Sequence, residues 1–123
     1  MNIRTLLFAT ALLVTACGGD DSAPAASKDD SCTATIDLLD YKLDPKEVEA
    51  KSGKVTLCAV NKGATSHDLG VRDADKKTLA KTMTLSPGDE DRFTVELSAA
   101  TYDIYCSVAG HESLGMKGTL TVK

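Results

Sequence analysis

Apolar and polar residues alternate in short runs along most of the chain: Ala34, Ile36 and Leu38; Val55, Leu57 and Ala59; Phe93, Val95 and Leu97; Tyr102, Ile104 and Cys106; and Leu120 and Val122. A period of two sends successive side chains to opposite faces, so each run reads as a strand with one buried face. Turn-forming residues separate the runs at Asp44-Pro45, Lys51-Ser52-Gly53, Asn61-Lys62-Gly63 and Ser86-Pro87-Gly88-Asp89, a spacing suited to a small all-β sandwich. The pattern predicts about eight strands in two packed sheets. Only Ala74 to Thr82 lacks the alternation, and a helical turn is expected there. No internal repeat is visible.

The pattern changes at the N-terminal end. Arg4 precedes an apolar stretch from Leu6 to Val14 that is too short for a finished membrane-spanning helix and reads as a secretory signal. The stretch closes on Val14-Thr15-Ala16-Cys17, which resembles the bacterial lipoprotein signal box, so residues 1–16 are expected to be removed and Cys17 to carry lipid. Ordinary cleavage near Ala16, leaving Cys17 a free thiol, is the alternative. Residues 17–31 hold no large apolar side chain and cannot offset the entropy of ordering, so a flexible linker is expected. Residues 32–123 are enough for one core and one domain. The formal net charge is −4, and no Lys/Arg cluster or interleaved aromatic residues occur, which excludes nucleic acid as a natural partner. An extracytoplasmic domain anchored to a bacterial membrane through its lipid, and monomeric, is expected.

The chemistry concentrates between Tyr105 and Gly118. Cys106, His111 and Met116 place a thiol, an imidazole and a thioether on one connection between strands. Cys106 continues the inward face of Tyr102 and Ile104, and Gly110 and Gly115 allow the chain to fold back over it. His67, in Ala64-Thr65-Ser66-His67-Asp68-Leu69, supplies a second imidazole; it and His111 are the only two histidines. Thiolate and thioether are soft donors, and two imidazoles with a thiolate and a weak axial thioether point to a single type 1 copper ion. Structural zinc would want a closed shell of stronger donors. Taken singly, each of these residues is an ordinary core or surface residue; the set is what points to copper. Such a site suits both Cu(I) and Cu(II). Metal binding requires a deprotonated Cys106, so affinity should fall at acidic pH.

These residues carry a resemblance to the cupredoxins, the type 1 blue-copper family of plastocyanin, azurin, auracyanin and rusticyanin. The matching marks are Tyr41-Lys42-Leu43-Asp44-Pro45, Gly53-Lys54-Val55-Thr56-Leu57, Val60-Asn61-Lys62-Gly63, Ser66-His67 and the run from Tyr102 to Val122. The gap of four residues from Cys106 to His111, and four more to Met116, resembles auracyanin and rusticyanin more than plastocyanin. The resemblance implies a Greek-key β-sandwich, one-electron transfer rather than enzymatic turnover, and His111 as the donor nearest the surface. One position departs: many family members carry Asn after the first histidine, and here it is Asp68. Asp68 is expected to accept from the Ser107 hydroxyl or backbone and, through its charge, to favour Cu(II).

With Cys17 assigned to lipid and Cys106 to copper, Cys32 and Cys58 are left as a pair, and a disulfide is expected in an oxidising compartment. Two separate buried thiols are the alternative. Val108, Ala109, Gly110, Leu114 and Gly115 surround His111, and this small, apolar surface is expected to dock redox proteins transiently. Copper storage or delivery without electron transfer is the second functional reading, and a metal-free structural lipoprotein the third. No hydrolase arrangement appears, since Ser113 lacks a nucleophile-elbow context.

Overall fold

A computed structural model of the chain describes residues 31–123. The expected leader, the Cys17 expected to carry lipid and the linker as far as residue 30 lie outside the described residues. The alternating runs become strands: β1 (Ala34–Leu39), β2 (Lys42–Asp44), β3 (Glu47–Ala50), β4 (Gly53–Asn61), β5 (Gly70–Arg72), β6 (Thr78–Lys81), β7 (Glu90–Leu97), β8 (Ala100–Tyr105) and β9 (Lys117–Val122). One sheet has the order β2-β1-β4-β7 and the other β3-β9-β8-β5-β6. β1 pairs in parallel with β4, and β3 with β9; the other pairings are antiparallel.

The pleat delivers the alternating residues to a single core between the sheets. Ile36 and Leu38 of β1 and Val55, Leu57 and Ala59 of β4 meet Ile104 of β8 and Leu120 and Val122 of β9, all buried. Each large aliphatic side chain taken fully out of water contributes about 1.5–3 kcal/mol. Phe93 and Val95 on β7 are only partly buried and pack on the margin of this core.

The described residues form nine strands, in keeping with the about eight expected. One sequence expectation needs correction: the segment from Ala74 to Thr82 is not a helical turn but contains β6. β6 is an edge strand paired with β5 alone, and of its four residues only Ala80 is even partly buried. An edge strand with no buried face shows no hydrophobic period, so the signal that marks the other strands is absent. The hairpin into β6 is built by Asp73, whose carboxylate accepts the amides of Asp75 and Lys77 at 2.9 Å each, a side-chain mimic of a backbone turn. The one short helical element among the described residues is a 3-10 turn at Glu112–Leu114.

Cys32 and Cys58 are joined as a disulfide, with Cα atoms 5.7 Å apart. It ties the residues before β1 to the middle of β4 and restricts the unfolded chain, an effect on the order of 3 kcal/mol for a loop of this length. At the other end of β1, four connections converge: the β1–β2 turn, the β4–β5 loop, the β6–β7 loop and the β8–β9 loop.

Candidate metal centre

Asn61, buried at the end of β4, organises the first half of the site. Its side-chain amide donates to the carbonyls of Thr65 and Leu85, both at 2.9 Å, and its carbonyl oxygen accepts the Gly63 amide at 2.9 Å. The loop thus held delivers His67, which exchanges two backbone hydrogen bonds with Leu85 at 3.1 and 2.7 Å. His67 is fully buried.

The second half is the β8–β9 loop. Cys106 directly follows β8 and is buried, and its amide donates to the Met116 carbonyl at 3.0 Å. The Met116 amide in turn donates to the His111 carbonyl at 3.1 Å, so the loop closes on itself. Closure needs two left-handed residues, Gly110 at φ 83° and Gly115 at φ 117°, where any side chain would be strained. Arg72 fastens the outside of the loop to the sheet. It donates to both carboxylate oxygens of Glu112, and through Nε to Asp103 at 3.2 Å, while its guanidinium stacks 4.3 Å from the Tyr105 ring centre.

These two halves bring His67, Cys106 and His111 together, with one donor atom from each lying within 4.8 Å of the others. The two Nδ1 atoms are 3.1 Å apart, and Cys106 Sγ is 3.7 Å from His111 Nδ1. Three donors about 2.0–2.3 Å from a central ion in trigonal array stand roughly 3.5–3.7 Å from one another, so the triangle fits a single ion. Met116 is completely buried in the adjoining core. Softness of the thiol, two imidazoles and the trigonal layout fit copper better than a hard cation.

Burial pushes the Cys106 thiol above its ordinary range, opposed in part by the backbone amides of Asp68 and Val108. The Asp68 amide donates to Cys106 Sγ at 3.5 Å. The Asp68 side chain, 2 % exposed, accepts from both the backbone amide and the hydroxyl of Ser107, and Lys81 Nζ lies 3.6 Å away. One carboxylate therefore ties the loop of His67 to the loop of Cys106.

Asp40, in the β1–β2 turn, carries out a task that the sequence did not announce. Its carboxylate accepts from His67 Nε2 at 2.6 Å, the Ala64 amide at 2.9 Å, and the amide and hydroxyl of Thr65 at 3.3 and 2.9 Å. The Ala64 amide first, then the His67 ring, hold the Asp40 carboxyl down to about 2. Neighbouring Tyr41 packs edge-on against both imidazoles, its ring centre 5.0 Å from that of His111 and 6.2 Å from that of His67. The contact from Asp40 to His67 spans 27 residues, and nothing local distinguishes Asp40 from Asp37 or Asp44.

Two sheets enclosing a His-Cys-His triangle at one end define the class: a β-sandwich with a mononuclear copper-type centre. The chain matches the family model for the cupredoxin-like domain over residues 5–122 and belongs to that family of copper proteins. It is 30% identical over 114 residues to azurin from Pseudomonas denitrificans, covering 83% of this chain and 88% of that one. It is likewise 30% identical over 109 residues to azurin from Pseudomonas putida, covering 77% and 83%. Auracyanin from Roseiflexus castenholzii shares the fold with a TM-score of 0.66 at 22% identity, covering 72% of this chain and 94% of that one.

Proposed function

We propose that this protein carries single electrons on one copper ion bound by His67, Cys106, His111 and Met116. The copper supplies a reversible change between Cu(II) and Cu(I). The observation that carries the reading is the triangle of two imidazole Nδ1 atoms and one cysteine sulfur, buried on all but its His111 side. Everything else follows from what the chain does around it. His67 and Cys106 are almost inaccessible, which excludes solvent and leaves no open position for a substrate. The hydrogen-bonded closure from Cys106 through Met116 to His111 holds the donors in place, so little has to rearrange when the charge changes.

His111 is the half-buried member of the set, with Ala109, Gly110 and Leu114 exposed beside it. This is the face on which redox proteins dock, and its small uncharged side chains suit brief encounters. The domain acts outside the cytoplasm, anchored to a bacterial membrane by lipid on Cys17; the motif Val14-Thr15-Ala16-Cys17 supports this.

Adding Cu(II) to the purified protein is expected to give one strong blue band per chain that bleaches reversibly with reductant and is abolished by Cys106→Ser. Stoichiometric binding with rapid exchange and no intense band would instead mark a copper-delivery protein. Labelled fatty acid should appear on the full chain and be lost in Cys17→Ala.

A further inference from the structure

The β1–β2 turn is remote in sequence from every proposed copper donor, yet the Asp40 side chain makes four polar contacts to the loop of His67, where the Asn61 side chain makes two. A carboxylate that accepts the Ala64 and Thr65 amides has no proton to give, so in the contact at 2.6 Å the proton resides on His67 Nε2. That fixes the tautomer: Nδ1 keeps its lone pair, and Nδ1 is the atom that faces His111. Metal-binding histidines are commonly oriented and made more basic in this way through their second nitrogen.

Gly63 gives independent support. A Cβ built there would stand 2.5 Å from Asp40 Oδ1 and 2.7 Å from His67 Nε2, closer than real atoms approach. No positive φ demands glycine at this position, so what Gly63 provides is the space in which carboxylate and imidazole meet. Asn61 accepts the Gly63 amide and the Asp40 carboxylate accepts the next two, so three consecutive amides are fixed around the contact.

We propose that Asp40 is a positioning residue for the copper centre: an anionic clasp that fixes the His67 tautomer, aims Nδ1 inward and biases the centre toward Cu(II). The inference rests on His67 being a copper donor. A unit of negative charge at the far side of the ring, part screened by solvent, shifts the Cu(II) to Cu(I) affinity ratio by about tenfold.

The test compares wild type, Asp40→Asn and Asp40→Ala as full chains, loaded with copper and copper-free. Asp40→Asn keeps an acceptor for Nε2 and loses the charge; it should retain the blue band and raise the midpoint potential by ~59 mV, equivalent to that tenfold change for one electron. Asp40→Ala should also weaken Cu(II) binding about 10–100-fold and alter the Cu(II) EPR hyperfine splitting. In copper-free wild type, nitrogen-15 NMR should show His67 as the Nε2–H tautomer, and Asp40→Ala should show a mixture. Wild-type potential and Cu(II) affinity in both variants would overturn the proposal, as would a wild-type tautomer in Asp40→Ala. A wild-type protein with no blue band would instead defeat the copper reading itself, leaving the tautomer measurement to judge the clasp.

Discussion

Two carboxylates serve the loop that carries His67, and they do different things with the same chemistry. Asp68 is 2 % exposed and directs its oxygens at the Ser107 amide and hydroxyl, so it sets the separation between the two donor loops. Asp40 keeps 28 % of its side chain in solvent and directs its oxygens at Ala64, Thr65 and the imidazole itself, so it sets the angle of one ring. Distance is fixed from a buried position and orientation from a partly exposed one. The difference implies that Asp68 matters most for stability and Asp40 for the electronic state of the metal.

Removing the buried carboxylate is the strongest way to break that division. Asp68→Ala should destabilise the copper-free protein by on the order of 3 kcal/mol, since bonds to a charged acceptor are lost from a buried position, read as a lower urea midpoint. Asp68→Asn keeps an acceptor for the Ser107 amide and should recover most of that stability. A larger loss of stability in Asp40→Ala than in Asp68→Ala would reverse the assignment.

Crowding the partly exposed carboxylate comes next. Gly63→Ala forces a methyl group against Asp40 and His67, and overpacking of this kind costs about 1–3 kcal/mol. The change should also displace the His67 ring and shift the blue band.

The smallest effect is that of acid. The Asp40 carboxyl is held at about 2 against an ordinary 3.8, so its contribution is complete above the ordinary value and disappears as pH falls through about 2. Glu112 and Asp103 are lowered too, by Arg72 and by Lys76 respectively, and act in the same direction. The urea midpoint of the copper-free protein should therefore decline from about pH 4 downward, and the decline should be shallower in Asp40→Asn. Identical slopes would show that the clasp adds nothing to the fold.

What could be read from the sequence follows from distance along the chain. Cys106 and His111 share one loop of the right composition, and His67 is the other of only two histidines, so local inspection reaches the three residues that meet in the triangle. The alternation of Ile36, Leu38, Val55 and Leu57 reports a face that is buried, and with it the two-sheet fold. Thr78 to Lys81 reports nothing, because an edge strand without a covered face has no period to display. Asp40 is invisible for a different cause: its role depends on β1 pairing with β4, which places the β1–β2 turn beside a loop more than twenty residues later in the chain.

The disulfide also marks the pole of the sandwich opposite the donor triangle. Cys32 enters before β1 and is bonded to Cys58 of β4, whereas Asp40 lies just beyond the far end of β1, and six residues of strand carry the chain about 20 Å between them. Tension applied from the N-terminal side would enter a strand flanked on both sides, between β1 and β7, instead of peeling an edge. Were the domain tethered through Cys17 as proposed, it would hang from that pole with its His111 end turned away from the attachment.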